Sequence, residues 1–200
     1  MGDGAPTAWI AGCATAHAAL LADIDGLTDE EARRPSALPS WTIGHVLTHI
    51  ARNADSVVRR LQGAVRGEVL DQYVGGLNGR ASEIEAGADR PAVELVADVR
   101  ESAQAVERIW ATLPITAWDA LSRSSRDVEE DGRVVVFSRW REVAIHHRDL
   151  GLTEEPVPLP AALVELCLPR ELERLAGRTD PAELLAWTFG RGPAPKLAPW

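Results

Sequence analysis

Two cysteines, one methionine, one tyrosine and two phenylalanines are all that this 200-residue chain has of those residue types. Its apolar runs fall well short of the ~20 residues that a membrane-spanning helix needs. Each scarcity excludes a class. Cys13 and Cys167 stand far apart, so no disulfide framework exists and a reducing compartment suits the chain. Without a long apolar run a membrane protein is not expected, and the opening Met1-Gly-Asp-Gly-Ala-Pro lacks the basic flank and apolar stretch of a secretory signal. The expectation is a cytoplasmic protein. A basic stripe is also missing: 21 Lys and Arg stand against 30 Asp and Glu, for a net charge of −9, and the arginines are scattered. Such a chain repels phosphate backbones, so nucleic acid is not expected as a partner. What remains is 46% hydrophobic and 26% charged, a globular composition long enough to bury a core without staples.

Helical periodicity dominates the pattern. Trp9, Cys13, Ala16, Leu20 and Ile24 place a first helix over 6–24, and Thr28-Asp-Glu-Glu reads as a short capped turn. After Pro35, Pro39 and Ser40, the residues Ile43, Val46, Leu47, Ile50, Ala54, Val57, Val58, Leu61 and Val65 keep three/four spacing and predict the longest helix. Gly75, Gly76 and Gly79 read as a loop. Pro91 opens another helix, with Leu95, Val99, Ser102, Val106, Ile109 and Leu113 on one face, ending at Pro114. Over 121–137, Asp131-Gly132 signals a hairpin and Val134-Val135-Val136-Phe137 is β-prone, which predicts a two-stranded ribbon. Ser138 then caps a helix over 139–150 that stops at Gly151. Prolines 156, 158 and 160 form a stiff linker, Pro169 interrupts the apolar stretch beyond it, and Asp180-Pro181 begins a last short helix closed by Gly190. The expected organisation is a main domain over 1–151, an up-down bundle of four main helices with a small ribbon, and a helical appendage over 152–200.

Histidine is the scarce chemical resource, and four of the five fall in two helices. On a wheel of about 100° per residue, His45 lies roughly 160° from the apolar stripe of its helix and should face water, while His49 flanks the core beside Asn53. In the later helix, Trp140, Val143, Ala144, His147 and Leu150 share the buried side, and Glu142, His146 and Asp149 lie together on another. Glu142 and His146 are an i,i+4 couple whose heads converge. A carboxylate and an imidazole one turn apart, joined by His49 from a neighbouring helix, would form a three-ligand divalent metal site with an open position. Spacing alone favours the plainer reading, an exposed i,i+4 pair and a hydrogen-bonded histidine, over a metal site.

The segments Leu38-Pro-Ser-Trp-Thr-Ile-Gly-His-Val-Leu-Thr-His49-Ile-Ala-Arg-Asn-Ala-Asp and Arg139-Trp-Arg-Glu142-Val-Ala-Ile-His146-His-Arg-Asp-Leu-Gly151 resemble the mycothiol-dependent maleylpyruvate isomerase family. That family belongs to the DinB-like metalloenzymes. Arg80 and Ile84 in Asn-Gly-Arg-Ala-Ser-Glu-Ile-Glu, and the closing Leu184-Leu-Ala-Trp-Thr-Phe-Gly-Arg191-Gly, support the likeness. The resemblance implies a mainly α fold, a DinB-like antiparallel four-helix bundle with metal ligands His49, Glu142 and His146. It also implies zinc as the usual metal, mycothiol as thiol cosubstrate, and Arg191 as a catalytic contact to an anionic substrate. Asp149 is expected to accept a hydrogen bond from a metal-bound imidazole, with Asn53 as a second supporting residue.

The implied chemistry is cis–trans isomerisation. A cation lowers the pKa of a bound thiol from near 8.5, the thiolate adds to a double bond conjugated with carbonyls, the bond rotates, and the thiolate leaves. Cys13 and Cys167 are read as buried small hydrophobes, so the thiol is external. His147 is read as a satisfied core histidine, Trp41 as structural, and His17 has no evident partner. Two further readings use the same residues: a mycothiol S-transferase that forms S-conjugates with an electrophile, and a non-catalytic metal-binding stress protein. Zn²⁺, Ni²⁺ and Fe²⁺ all accept such ligands. The expected partners are a small thiol and a small anionic or electrophilic substrate, with the chain a monomer or homodimer.

Overall fold

A computed structural model describes residues 4–197, so Met1 to Asp3 of the opening segment lie outside the described residues. Two compact units divide the chain, the first running to Pro158 and the second starting at Leu159. The chain is mainly helical with one small antiparallel hairpin.

In the first unit four long helices pack on one another: α1 (Thr7–Asp23), α3 (Ile43–Val65), α5 (Ala92–Thr112) and α6 (Gly132–Asp149). α3 lies against both α5 and α6, and α1 against the same two. A one-turn helix, α2 (Asp29–Ala32), precedes α3, and α4 (Gly76–Gly87) rests on it. The apolar stripe of α3 explains its central place. Ile43, Val46, Leu47, Ile50, Ala54, Val57 and Leu61 are all buried, and each large aliphatic among them contributes roughly 1.5–3 kcal/mol of burial. Val58 and Val65 depart from that stripe: Val58 is half-buried and Val65 is exposed.

Several local expectations change. α3 is capped by Thr42. The Thr42 hydroxyl accepts from the His45 backbone N–H, and His45 Nδ1 accepts from the Thr42 backbone N–H at 3.2 Å. His45 is therefore a half-buried capping residue with 14% of its side chain exposed, and does not point freely into water. Ser40 adopts a left-handed φ of 67° in the turn before it.

The glycine segment is not all loop. Gly75, with φ 73°, turns the chain into α4, and Gly79 lies where any Cβ would overlap the Val74 carbonyl oxygen. The glycines permit a tight helix entry that buried Ile84 anchors, which places Arg80 beside α3.

The ribbon is shorter than its β-prone residues suggest. β1 (Leu121–Arg123) and β2 (Glu129–Asp131) pair antiparallel with Ser122 opposite Glu130, and Val134 to Phe137 lie in α6. Asp131 decides this: its carboxylate accepts from the Val134 N–H at 2.9 Å and starts the helix there, so Ser138 is not the cap. Val135 and Val136 are then fully buried, and packing overrides their strand propensity. Buried Arg60 of α3 secures the hairpin, donating to Ser122 Oγ at 2.9 Å and to Glu130 Oε2 at 2.7 Å.

The second unit holds α7 (Ala161–Leu175) and α8 (Pro181–Thr188). α7 continues through Pro169, since the carbonyl of exposed Glu165 that loses its partner there is left to solvent. Cys167 is half-buried, with exposed Leu166 and Leu168 beside it, and is not the fully buried residue expected. Asp180 caps α8 through the Ala182 and Glu183 N–H groups. No helix among the described residues is long and apolar enough to cross a membrane.

Candidate metal centre

Where α3 crosses α6, three donor atoms converge. His49 Nε2 lies 3.2 Å from Glu142 Oε2 and 3.1 Å from His146 Nε2, and His146 Nε2 lies 3.5 Å from the same Glu142 oxygen. A tetrahedral ion with bonds of about 2.0–2.2 Å holds its ligand atoms roughly 3.3–3.6 Å apart, so the three atoms form one face of such a site with little adjustment. Two imidazole nitrogens and one carboxylate oxygen leave a fourth position open. The set is the group of His, Cys, Asp and Glu among the described residues able to share a divalent ion.

Each ligand candidate is oriented by a neighbour. Asp149 Oδ2 accepts from His146 Nδ1 at 2.9 Å, which turns the ring's Nε2 toward the cluster. Asp149 thus lies beside His146. Arg80 Nη2 is 3.2 Å from His49 Nδ1 and 3.4 Å from Nε2. One atom nearly equidistant from both ring nitrogens must stand over the face of the imidazole, because an approach in the ring plane would collide with Cε1. The Arg80 guanidinium is also 5.8 Å from the ring centres of both Trp41 and Tyr73. Trp41 meets His49 edge-on at 5.7 Å. These aromatic and basic side chains line one side of the cluster.

Electrostatics separate the two histidines. Burial pushes His49 down to about 4, despite its hydrogen bond to Glu142, so it stays neutral. Burial also acts to lower His146, but hydrogen bonds to Asp149 and Glu142 outweigh it and lift the group to about 9. For Glu142 burial would raise the carboxyl, yet hydrogen bonds from His146 and His49 hold it well below the usual range. Before any ion binds, the cluster thus carries an anionic carboxylate and a protonated His146. Glu142 and His146 keep 20% and 13% of their side chains exposed against 2% for His49, so access is from the α6 side.

The remaining candidates lie elsewhere. Asn53 does not bond to any of the three; its Oδ1 accepts from Arg139 at 2.9 Å and its Nδ2 lies 3.4 Å from the Tyr73 hydroxyl. It supports the region through Arg139, because it sits a full turn along α3 from His49. Arg191 belongs to the second unit, exposed just beyond α8, with its backbone N–H on the Ala186 carbonyl. His147 is buried against Asp23 Oδ2 at 2.8 Å. His17, without an evident partner in the sequence, bonds Glu107 Oε1 at 3.0 Å. Cys13 is buried, and desolvation pushes its thiol up to about 12, which suits no nucleophile. Trp41, which the sequence suggests is structural, lies against His49 together with Arg80, and Tyr73 stacks near Arg80, while Arg139 sits a turn away; the sequence gives no sign of Tyr73 or Arg139 at the site, and the i,i+4 pair Arg80 and Ile84 is the signal of a helix in the glycine segment.

Residues 13–151 match the family described as mycothiol maleylpyruvate isomerase N-terminal domain. Two solved structures are similar, a crystal structure of the mycothiol-dependent maleylpyruvate isomerase and one of a mutant form of it. Each has a TM-score of 0.73 at 21% identity, with 80% of this chain and 66% of that chain covered. The chain thus spans just under two thirds of the length of those proteins. A search of curated proteins finds no match.

Proposed function

The chain belongs to the mycothiol maleylpyruvate isomerase N-terminal domain family, and from that premise we propose that it is a metal-dependent cis–trans isomerase. Its thiol cosubstrate, mycothiol, adds to an activated double bond and leaves it again. The fold is read as a DinB-like antiparallel four-helix bundle, with His49, Glu142 and His146 as metal ligands and zinc the first candidate. The observation that carries this reading is the mutual spacing of 3.1, 3.2 and 3.5 Å among the three donor atoms.

A divalent cation held by His49, Glu142 and His146 would lower the pKa of a bound thiol, supplying a nucleophilic sulfur at neutral pH without a dedicated base. The chain's own residues do the rest. His49 is neutral by burial and offers a lone pair without first losing a proton. Asp149 holds the His146 ring in the orientation that presents Nε2. Arg80 supplies a guanidinium over His49, held between Trp41 and Tyr73, which favours a carboxylate on the substrate. The protein is read as a cytoplasmic monomer or homodimer.

Turnover of maleylpyruvate with and without added mycothiol tests the reading, with product geometry and thiol concentration measured together. The expected result is thiol-dependent appearance of the trans product with mycothiol recovered unchanged. Consumption of mycothiol mole for mole would make the protein an S-transferase, and no thiol-dependent turnover would leave a non-catalytic metal-binding protein.

A further inference from the structure

One buried guanidinium joins all four long helices a turn away from the histidine–carboxylate cluster. Arg139 of α6 is 1% exposed. Its Nη1 donates to the Ile50 carbonyl at 2.8 Å and to Asn53 Oδ1 at 2.9 Å, both on α3. Its Nε donates to His17 Nε2 on α1 at 3.3 Å. Because Nε2 accepts, the His17 proton resides on Nδ1 and is donated to Glu107 Oε1 on α5 at 3.0 Å. None of the three acceptors that Arg139 reaches is a carboxylate. A cation buried on such terms is costly, and an apolar side chain of similar volume would fill the same space more cheaply. Packing therefore does not account for an arginine here.

Its position does. Ile50 and Asn53 come one and four residues after His49, and Arg139 precedes Glu142 and His146 by three and seven, on the same stripe of α6. The two bonds from Nη1 thus pin α3 to α6 beside the place where His49 must meet the other two. Apolar contacts resist separation of two helices but tolerate small slides and rotations, whereas paired hydrogen bonds have a preferred direction. We propose that Arg139 is a positioning residue, whose α3 arm sets the rise and rotation of α3 against α6 so that His49 Nε2 faces the donor atoms of Glu142 and His146. This rests on the metal reading proposed above.

The two arms can be cut separately. Asn53→Ala removes an acceptor on the α3 arm, while His17→Leu removes the α1 and α5 arm and leaves both α3 bonds in place. The full chain is loaded with Co²⁺, and affinity is measured by competition with a chelator alongside the visible ligand-field spectrum, which reports ligand geometry. Asn53→Ala is expected to weaken Co²⁺ binding roughly 10- to 100-fold and to change the spectrum, as loss of an orienting partner does. His17→Leu is expected to lower the thermal midpoint while leaving affinity and spectrum unchanged. Arg139→Lys should fall on the Asn53→Ala side, since a freely rotating ammonium on a shorter stem does not hold the fixed in-plane directions in which the two Nη1 N–H groups meet Ile50 and Asn53. Wild-type Co²⁺ affinity and spectrum in both Asn53→Ala and Arg139→Lys would overturn the inference, as would a His17→Leu protein altered as much as Asn53→Ala. Failure of the unmodified chain to bind Co²⁺ sinks the metal reading and this inference with it. Binding that is insensitive to the α3 arm sinks the inference alone.

Discussion

Loading the cluster with Zn²⁺ at pH 7 should release about one proton per chain, and the origin of that proton is a single side chain. With His49 at about 4 and Glu142 well below its usual range, His49 is a neutral imidazole and Glu142 a carboxylate at neutral pH, so neither has a proton to give up on binding the ion. His146, lifted to about 9, does. Only the neutral imidazole can ligate a metal, so that proton must leave. The two pH units between 7 and about 9 reduce the apparent affinity about a hundredfold, or ~2.7 kcal/mol, relative to strongly alkaline solution. Between about pH 6 and 8 each unit of acidification should weaken binding about tenfold. For the metal-free protein the sign is opposite. A folded-state value raised above 6.5 stabilises the fold in full below that pH, and this contribution is lost as pH rises through about 9. Calorimetric titration in buffers of different ionisation enthalpy counts the protons directly. In Asp149→Asn the largest favourable contact of protonated His146 is gone, so proton release at pH 7 should drop well below one and the pH slope should flatten. Equal affinity at pH 6 and pH 8, or no proton release at pH 7, would refute the reasoning.

Chelation of a loaded sample should lower its thermal midpoint, since ligand at a thousandfold excess over Kd adds about 4 kcal/mol to folding; scanning calorimetry with and without EDTA checks it. Arg80→Gln should raise KM for an anionic substrate roughly 10- to 100-fold with metal content unchanged, as expected for one lost charge-assisted bond. Steady-state kinetics beside metal analysis would show it, and an unchanged KM would remove Arg80 from the substrate's surroundings. Gly44→Ala should destabilise the protein by roughly 1–3 kcal/mol, because the new Cβ would overlap the Ala88 carbonyl oxygen where the start of α3 meets the end of α4. Asp131→Ala should cost ~1 kcal/mol through loss of the cap of α6. Denaturant unfolding measures both.

Much of the architecture was legible because periodicity reports burial directly. Most of the α3 stripe, and Leu95, Val99, Ser102 and Val106 of α5, are buried as their spacing predicts, whereas Ile109 and Leu113 are half-buried and Trp110 is buried in their place; the capped turn at Thr28 and the Asp180 cap of α8 stand where local chemistry put them. The failures share a cause. Val134 to Phe137 favour strands by propensity, and only the burial of Val135 and Val136 in the first unit's core makes them helical. Gly75 and Gly79 read as a loop because backbone crowding against Val74 cannot be seen before the chain is folded. His45 was misplaced because the wheel angle of a residue in the first helical turn says little about its cap.

For the candidate site the division is sharper. Helix geometry alone puts Glu142 and His146 one turn apart and Asp149 within reach of His146, since an α-helix carries i,i+3 and i,i+4 side chains on one face whatever it packs against. That His49, 93 residues from Glu142, comes within 3.2 Å of it depends on how α3 crosses α6. The same crossing brings Arg139 to Asn53, and α4 brings Arg80 over His49. Such contacts are decided by close packing between elements, and packing depends on shapes that no single stretch of sequence contains.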